Sequence, residues 1–225
     1  LEKRLHGKTP PAEGFSRLLR DDAFMVNKSL KLGQTAAVLT PIMPEVLATS
    51  PSMASSMIVS SEPASGSPWL AFVTEDAEGG SLASALDKGA VGIMALVDGP
   101  RQVTRLCARL AVAEAETGIP DGSSFIAALV ATAEGVLTLP HFGRPSPRLI
   151  ALGIDTSSLA ASLGYPVPES APVLRTAVGL TVLAAHASGL PPFAALRSKS
   201  ALELEMARLD GFAAVLLPTE GGISV

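Results

Sequence analysis

Short apolar runs recur along the chain, and from the fourth onward most are followed by a stretch of helical length. The runs are AFMV (23–26), AAVLT (36–40), MIVSS (57–61), WLAFVT (69–74), VGIMAL (91–96), SFIAALV (124–130), RLIALGI (148–154), FAAL (193–196) and AAVLLP (213–218). Near-continuous apolar character over a few residues marks a strand covered on both faces, the pattern of a parallel sheet packed under helices. SLASALDKG (81–89), PRQVTRLCARLAVAEAETG (100–118), SSLAASLG (157–164), APVLRTAVGLTVLAAHASG (171–189) and ALELEMARLDG (201–211) supply the helices, several of them stopped by glycine. Parallel neighbours need crossovers of that length, so the alternation predicts an α/β protein. Residues 40–68 are rich in Ser, Pro and Met and read as irregular, with 57–61 a strand inside them, which leaves the strand count uncertain by one.

A count of eight strands predicts a (β/α)8 TIM barrel, in a compact or modified form because such barrels take about 250 residues and this chain has 225. An open doubly wound sheet is the second choice, and no Gly-rich dinucleotide fingerprint or phosphate loop favours it. With 48% hydrophobic and 17% charged residues the chain is long enough for one substantial core, so residues 1–225 are expected to form a single barrel domain, with 1–22 an extension or first helix. Seventeen Lys and Arg against 21 Asp and Glu give a net charge of −4, which provides no basic field for nucleic acid or an anionic membrane. The single Cys107 excludes an internal disulfide and a thiolate metal cluster. LEKRLHGKTPPAEG is too polar for a signal sequence, and the apolar runs break at residues such as Glu134 and Pro140, so the expected location is cytoplasmic.

In a barrel the chemistry belongs just after the strands, at their carboxyl ends. Asp155 follows LIALGI and precedes TSSL, a position suited to a helix cap or to a cation. Glu134 follows the 124–130 run near a possible helix start, where the helix dipole favours its charge, and it is the second candidate metal ligand. His141, Arg144 and Arg148 form a candidate set for an anionic substrate. Asp98 precedes Gly-Pro and reads as a turn residue, whereas Glu75, Asp76 and Glu78 read as a solvated loop. Lys28 reads as a helix-start lysine, and His6 and His186 have no partner at ligand spacing. Serines are plentiful, yet no nucleophile-elbow sequence accompanies them, and Cys107 reads as a packed thiol.

RLIALGIDTSSLAASLGYP and VLAAHASGLPPF resemble the citrate-lyase beta-subunit and malyl-CoA-lyase branch of the HpcH/HpaI aldolase/citrate lyase superfamily. AFMVNKSLKLGQTAAVLT is similar to that family's opening strand, helix and second strand, ALDKGAVGIMAL to its fourth-strand region, AALVATAEGV to its fifth and EMARLDGFAAVLLP to its closing helix and strand. The resemblance spans most of residues 20–218 and is weakest over 41–80. It implies a modified (β/α)8 barrel, magnesium-assisted cleavage or formation of a carbon–carbon bond, an acyl-CoA or 2-oxo acid ligand, and assembly as a homo-oligomer or as a subunit of a larger complex. In such chemistry a divalent cation held by carboxylates stabilises an enolate.

By the same resemblance, Ala131 stands where the fifth-strand motif carries glutamate, with Glu134 three residues on, and Ser157 and Ser158 stand at the two acids of the sixth. The second-strand acidic signature becomes LTPIMPE, the third-strand arginine falls near Ser60, the fourth-strand lysine near Val97, and LLPTE replaces a final His-Pro pair except for Pro218. A serine hydroxyl or an alanine does not replace carboxylate charge at a Mg2+ site. The expectation is therefore a member of this kind with impaired or lost magnesium-dependent lyase chemistry. An active lyase using a displaced Glu134 and Asp155 site, and an unrelated barrel enzyme, are the alternatives.

Overall fold

Strands covered on both faces need every backbone N–H and C=O paired sideways, and a sheet that closes on itself leaves no edge unpaired. The computed structural model describes residues 37–43, 56–63, 68–73, 79–142, 146–164 and 171–219. The expected strand at 23–26, the segment 1–22, His6, Lys28, Arg144 and the acidic loop 75–78 lie outside the described residues. Eight strands form a closed barrel in chain order: β1 (Ala37–Pro41), β2 (Met57–Ser60), β3 (Trp69–Val73), β4 (Gly92–Leu96), β5 (Phe125–Val130), β6 (Leu149–Ile154), β7 (Pro192–Ala195) and β8 (Ala214–Pro218). This is an α/β barrel of the (β/α)8 kind in a modified form.

The modification is in direction. From β2 to β8 each strand runs parallel to the next, as the crossover lengths predict. The first described strand, β1, instead runs antiparallel to both β2 and β8. The sheet is therefore not wholly parallel, a correction to the sequence reading. The apolar pattern of AVLT fixes which faces are covered but reads the same from either end, so it carries no direction. Five residue pairs join β1 to β8, and the N–H groups of Ile42 and Met43 both donate to the carbonyl of Ala213, fastening the end of β1 to the start of β8.

Helices fill the crossovers: α1 (Gly79–Asp87), α2 (Pro100–Thr117), α3 (Ala133–Thr138), α4 (Thr156–Ser162), α5 (Pro172–Ala187) and α6 (Ala201–Leu209), with a 3-10 turn at Leu139–His141. Proline opens α2 and α5 at their first positions, where its missing N–H costs nothing. The C-terminal end of α2 is closed by Gly118 in the left-handed conformation (φ 73°).

Alternate strand residues divide between separate cores. Leu70, Met94, Ala127, Leu129, Phe193 and Leu216 belong to one cluster, which fills the lumen. Their neighbours Trp69, Ala71, Ile93, Ala128, Val130 and Val215 belong to a second, between strands and helices. Small side chains leave room for large ones in the lumen. Phe193 is fully buried, and a Cβ on Gly153 would stand 2.5 Å from its ring. On β4, a Cβ on Gly92 would stand 2.3 Å from the carbonyl oxygen of Phe125 on the neighbouring strand. One register shift lies between β5 and β6 at Ile126 and Ala127, where Ile150 is the extra residue.

These two glycines give a graded expectation. Gly153→Ala meets a ring that can turn and should lower stability by about 1–3 kcal/mol, the usual range for overpacking. Gly92→Ala meets backbone that cannot yield and should lower it by about 3 kcal/mol or more. Urea denaturation of the two variants beside the parent chain checks the order, and Gly92→Ala being the milder change would contradict it.

Candidate functional site

The parallel strands all point their carboxyl ends to one face of the barrel, and the residues that follow them make its polar surface. After β4 comes Asp98, after β5 Thr132, after β6 Asp155 and after β7 Arg197. Each is placed by the element that begins there. Thr132 caps α3, its hydroxyl oxygen accepting the N–H of Gly135 at 3.0 Å, and the same hydroxyl donates to the Asp98 carboxylate. Asp98 in turn donates its N–H to the Gln102 side chain and accepts the Thr138 hydroxyl on its carbonyl at 2.7 Å. Its turn role, expected from Asp-Gly-Pro, thus extends to tying the start of α2 to α3.

Beside this knot is a depression of about 440 Å3 whose lining includes Asp98, Arg101, Arg105, Glu134 and His141. Glu134 stands exposed in the first turn of α3, and His141 stands exposed in the 3-10 turn that follows it. The structure therefore brings Glu134 and His141 together, with two arginines of α2, on the carboxyl-end face.

Asp155 is elsewhere and differently used. It is 1% exposed and caps α4: Oδ1 accepts the N–H groups of Ser157 at 2.9 Å and Ser158 at 3.0 Å, and Oδ2 accepts the Ser158 hydroxyl at 2.6 Å. Its own N–H donates to the Val130 carbonyl, so the cap is anchored to β5. The Ser157 hydroxyl oxygen accepts the Nε–H of Arg197 at 2.7 Å. The turn after β6 thus carries a carboxylate engaged in a cap and a hydroxyl that meets a guanidinium from the end of β7.

Magnesium is usually held by one or two carboxylates with free lone pairs, water and substrate oxygens completing its octahedron. Among the described residues no group of three or more His, Cys, Asp and Glu is gathered so as to hold a metal ion. Glu134 lines the depression beside α2, and Asp155 is not among that depression's lining residues. The Asp155 oxygens already receive three hydrogen bonds from their own helix turn.

Arg148, the third member of the expected anion set described here, lies at the other end of the barrel, just before β6. Its guanidinium makes a two-pronged pair with Glu114 of α2, Nη1 to Oε1 at 2.8 Å and Nη2 to Oε2 at 2.7 Å, and also reaches Asp121 and the Ser124 carbonyl. Glu114 is fully buried and accepts the N–H groups of Gly122 at 3.0 Å and Ser124 at 2.6 Å as well. His141 and Arg148 sit at opposite ends of α2. Sequence reasoning missed Glu114, although a signal was present. Val103, Leu106, Leu110 and Ala113 mark the buried stripe of α2, and Glu114 stands on it four residues after Leu110.

Burial pushes the Glu114 carboxyl up, but the Arg148 guanidinium and the N–H groups of Gly122 and Ser124 outweigh it and bring it from 4.5 down to about 2. The pair with Glu114 likewise raises the Arg148 pKa.

The fold is shared with solved structures of low sequence identity. A citrate lyase from Burkholderia xenovorans LB400 superposes with a TM-score of 0.58 at 15% identity over 66% of this chain and 52% of its own. The malate synthase of Haloferax volcanii, solved with glyoxylate, gives 0.56 at 14% identity over 67% and 51%. A HpcH/HpaI aldolase/citrate lyase family protein from Burkholderia cenocepacia J2315 gives 0.53 at 18% identity over 66% of each chain. What these likenesses show is the fold. The matched region spans about half the length of the citrate lyase and malate synthase chains. No protein-family model and no curated protein sequence matches this chain. No helix among the described residues is long and apolar enough to cross a membrane.

Two expectations follow from the buried charges. Removing one partner of a buried pair strands the other, so Arg148→Met should cost about 3–5 kcal/mol in urea denaturation. A carboxyl with a lowered folded pKa contributes stability that is complete above about 4.5 and fades as the pH falls to about 2. The stability lead of the parent over Glu114→Gln should narrow through that window, and a lead that widened there would contradict the assignment. At the other face, Asp155→Ala should cost about 1–2 kcal/mol by loss of the α4 cap, whereas Asp155→Asn, which keeps an acceptor, should cost less. Thermal melts of the two variants check this order.

Proposed function

We propose that this chain is a citrate-lyase-beta-like barrel whose magnesium-dependent acyl-CoA lyase chemistry is impaired or lost, and that it serves as a binding or structural subunit. The observation that carries this reading is the turn after β6. The resemblance puts acids at Ser157 and Ser158, and here those serines supply a hydroxyl to Arg197 and two donors plus a hydroxyl to Asp155. The Arg197 guanidinium, reaching that turn from the end of β7, opposes a divalent cation, and a carboxylate engaged in a cap has little left to offer one. Ala131, at the fifth-strand acid, is buried and apolar.

The superposition on a citrate lyase, a malate synthase and an aldolase-family protein supports the ancestry that this reading assumes. An acyl-CoA or 2-oxo acid remains the class of ligand to which the barrel mouth is referred by that ancestry, with the depression lined by Arg101, Arg105 and His141 as its place. Assembly as a homo-oligomer or in a larger complex, in the cytoplasm, goes with the proposal; the single Cys107 and the net charge of −4 are compatible with it.

Titration calorimetry with Mg2+ or Mn2+, with and without oxaloacetate or glyoxylate, tests the proposal on the full chain. The expected result is no saturable heat that couples metal to oxo acid. Magnesium-dependent turnover of an acyl-CoA substrate, abolished by Asp155→Ala, would overturn the proposal and establish a displaced lyase site.

A further inference from the structure

A helix on the outside of a barrel normally sets polar residues opposite the stripe it turns to the sheet, and α5 does not. Over its 16 residues, PVLRTAVGLTVLAAHA, the only ionisable side chains are Arg175 and His186. Leu174, Ala177, Thr181 and Ala185 make the buried stripe. The opposite side holds Thr176, Gly179 and Leu183, and Leu183 is 69% exposed. α6, the next helix along the chain, repeats the pattern: Leu202, Met206 and Leu209 stand at i, i+4 and i+7 and are 73%, 39% and 66% exposed. Of the seven large apolar side chains exposed among the described residues, five lie on these two helices. Clustering of that kind, as opposed to scatter, marks a contact surface.

The face also has relief. Between α5 and α6 runs an apolar groove of about 290 Å3, lined at depth by Leu174 and Phe212 and nearer the surface by Val178, Leu202 and Met206. A Cβ on Gly179 would meet nothing within 4 Å, so another chain can come close to the backbone of α5 there. Projecting side chains and a hollow to receive them thus lie on one face, as pairing with an identical copy about a two-fold axis requires. The charges of the face are engaged within the chain. Arg175 of α5 reaches Asp210 at the end of α6 at 3.8 Å, and Glu205 holds Arg208 in a two-pronged pair at 2.7 and 2.9 Å. Glu203 turns both oxygens to Ser198, each at 3.1 Å. Like-charge repulsion between two such faces is correspondingly small.

We infer that the chain forms a two-fold dimer through α5 and α6, with Leu183, Leu202, Met206 and Leu209 covered by the same face of a second copy. The 16 residues of α5 and two helices side by side make a face roughly 24 Å long and 20 Å wide. That is the small end of specific interfaces, and a dimer of micromolar strength is expected from it. The inference rests on the assembly in the reading above and on none of its chemistry. Magnesium-dependent turnover would overturn that reading and leave the dimer; a monomer would overturn the dimer and leave the lost chemistry.

Sedimentation velocity of the full chain from about 1 to about 200 µM, a range that brackets micromolar strength, reads the association. The sedimentation coefficient is expected to climb from that of a monomer to that of a dimer across it. Leu183→Glu and Leu202→Glu should each weaken association about tenfold or more, because the contact would bury a charge without a partner. Their thermal melts at the lowest concentration should match the parent's, since both side chains stand mostly in water there. Val112→Glu places the same charge on an exposed apolar site of α2, off this face, and should associate as the parent does. A chain that stays monomeric throughout would overturn the inference and leave the face to a partner of another sequence. So would a dimer that Leu183→Glu and Leu202→Glu leave intact, or that Val112→Glu weakens as much, since its contact would lie elsewhere.

Discussion

Closure of the backbone ladder is the constraint on which the rest of this molecule depends. An eight-stranded sheet with an open edge would expose a row of unpaired N–H and C=O groups, and its lumen would have no wall. Here the ring is completed by a strand that runs against both its neighbours. Antiparallel pairing satisfies the same backbone groups as parallel pairing, so closure does not demand that all strands agree in direction. The reversed strand keeps its alternate residues in register with the lumen, with Ala37 and Leu39 inside. The lumen is then filled by pairing small with large, as Gly153 does with Phe193.

Much of the fold was legible because burial leaves a periodic trace. The runs at 91–96 and 213–218 became β4 and β8 within a residue at each end, and the long helix expected over 171–189 became α5. The direction of β1 was not legible, since an alternating pattern is the same pattern in reverse. The site was legible in part. Asp-Thr-Ser-Ser before an Ala-Leu helix announces a cap, and Asp155 is one. The partner of Arg148 was hidden because it lies 34 residues earlier, on a helix whose one other acid, Glu116, faces water. Sequence periodicity places Glu114 on the inner stripe, but only the fold shows that β6 delivers a guanidinium to the same spot.

The two ends of the barrel divide the charged residues by task. At the amino end of the parallel strands, Arg148, Glu114, Asp121 and the Gly122–Ser124 backbone form a network in which a buried charge is fully matched. That network locks the end of α2 and the β5 approach against β6. At the carboxyl end Thr132 and Asp155 cap the helices that start there, and Glu134 stands exposed in the depression that Arg101 and Arg105 also line.

The reversed strand also alters the wiring of the barrel. A parallel strand hands its following loop to the carboxyl-end face, whereas β1 ends at the opposite side, where Ile42 and Met43 meet Ala213. The polar face is consequently fed by seven strand ends and by the incoming end of the eighth strand. The start of β1 at Ala37 and its end at Pro41 thus lie toward opposite faces of the barrel. A single reversed strand therefore exchanges one exit from the polar face for one entry to it.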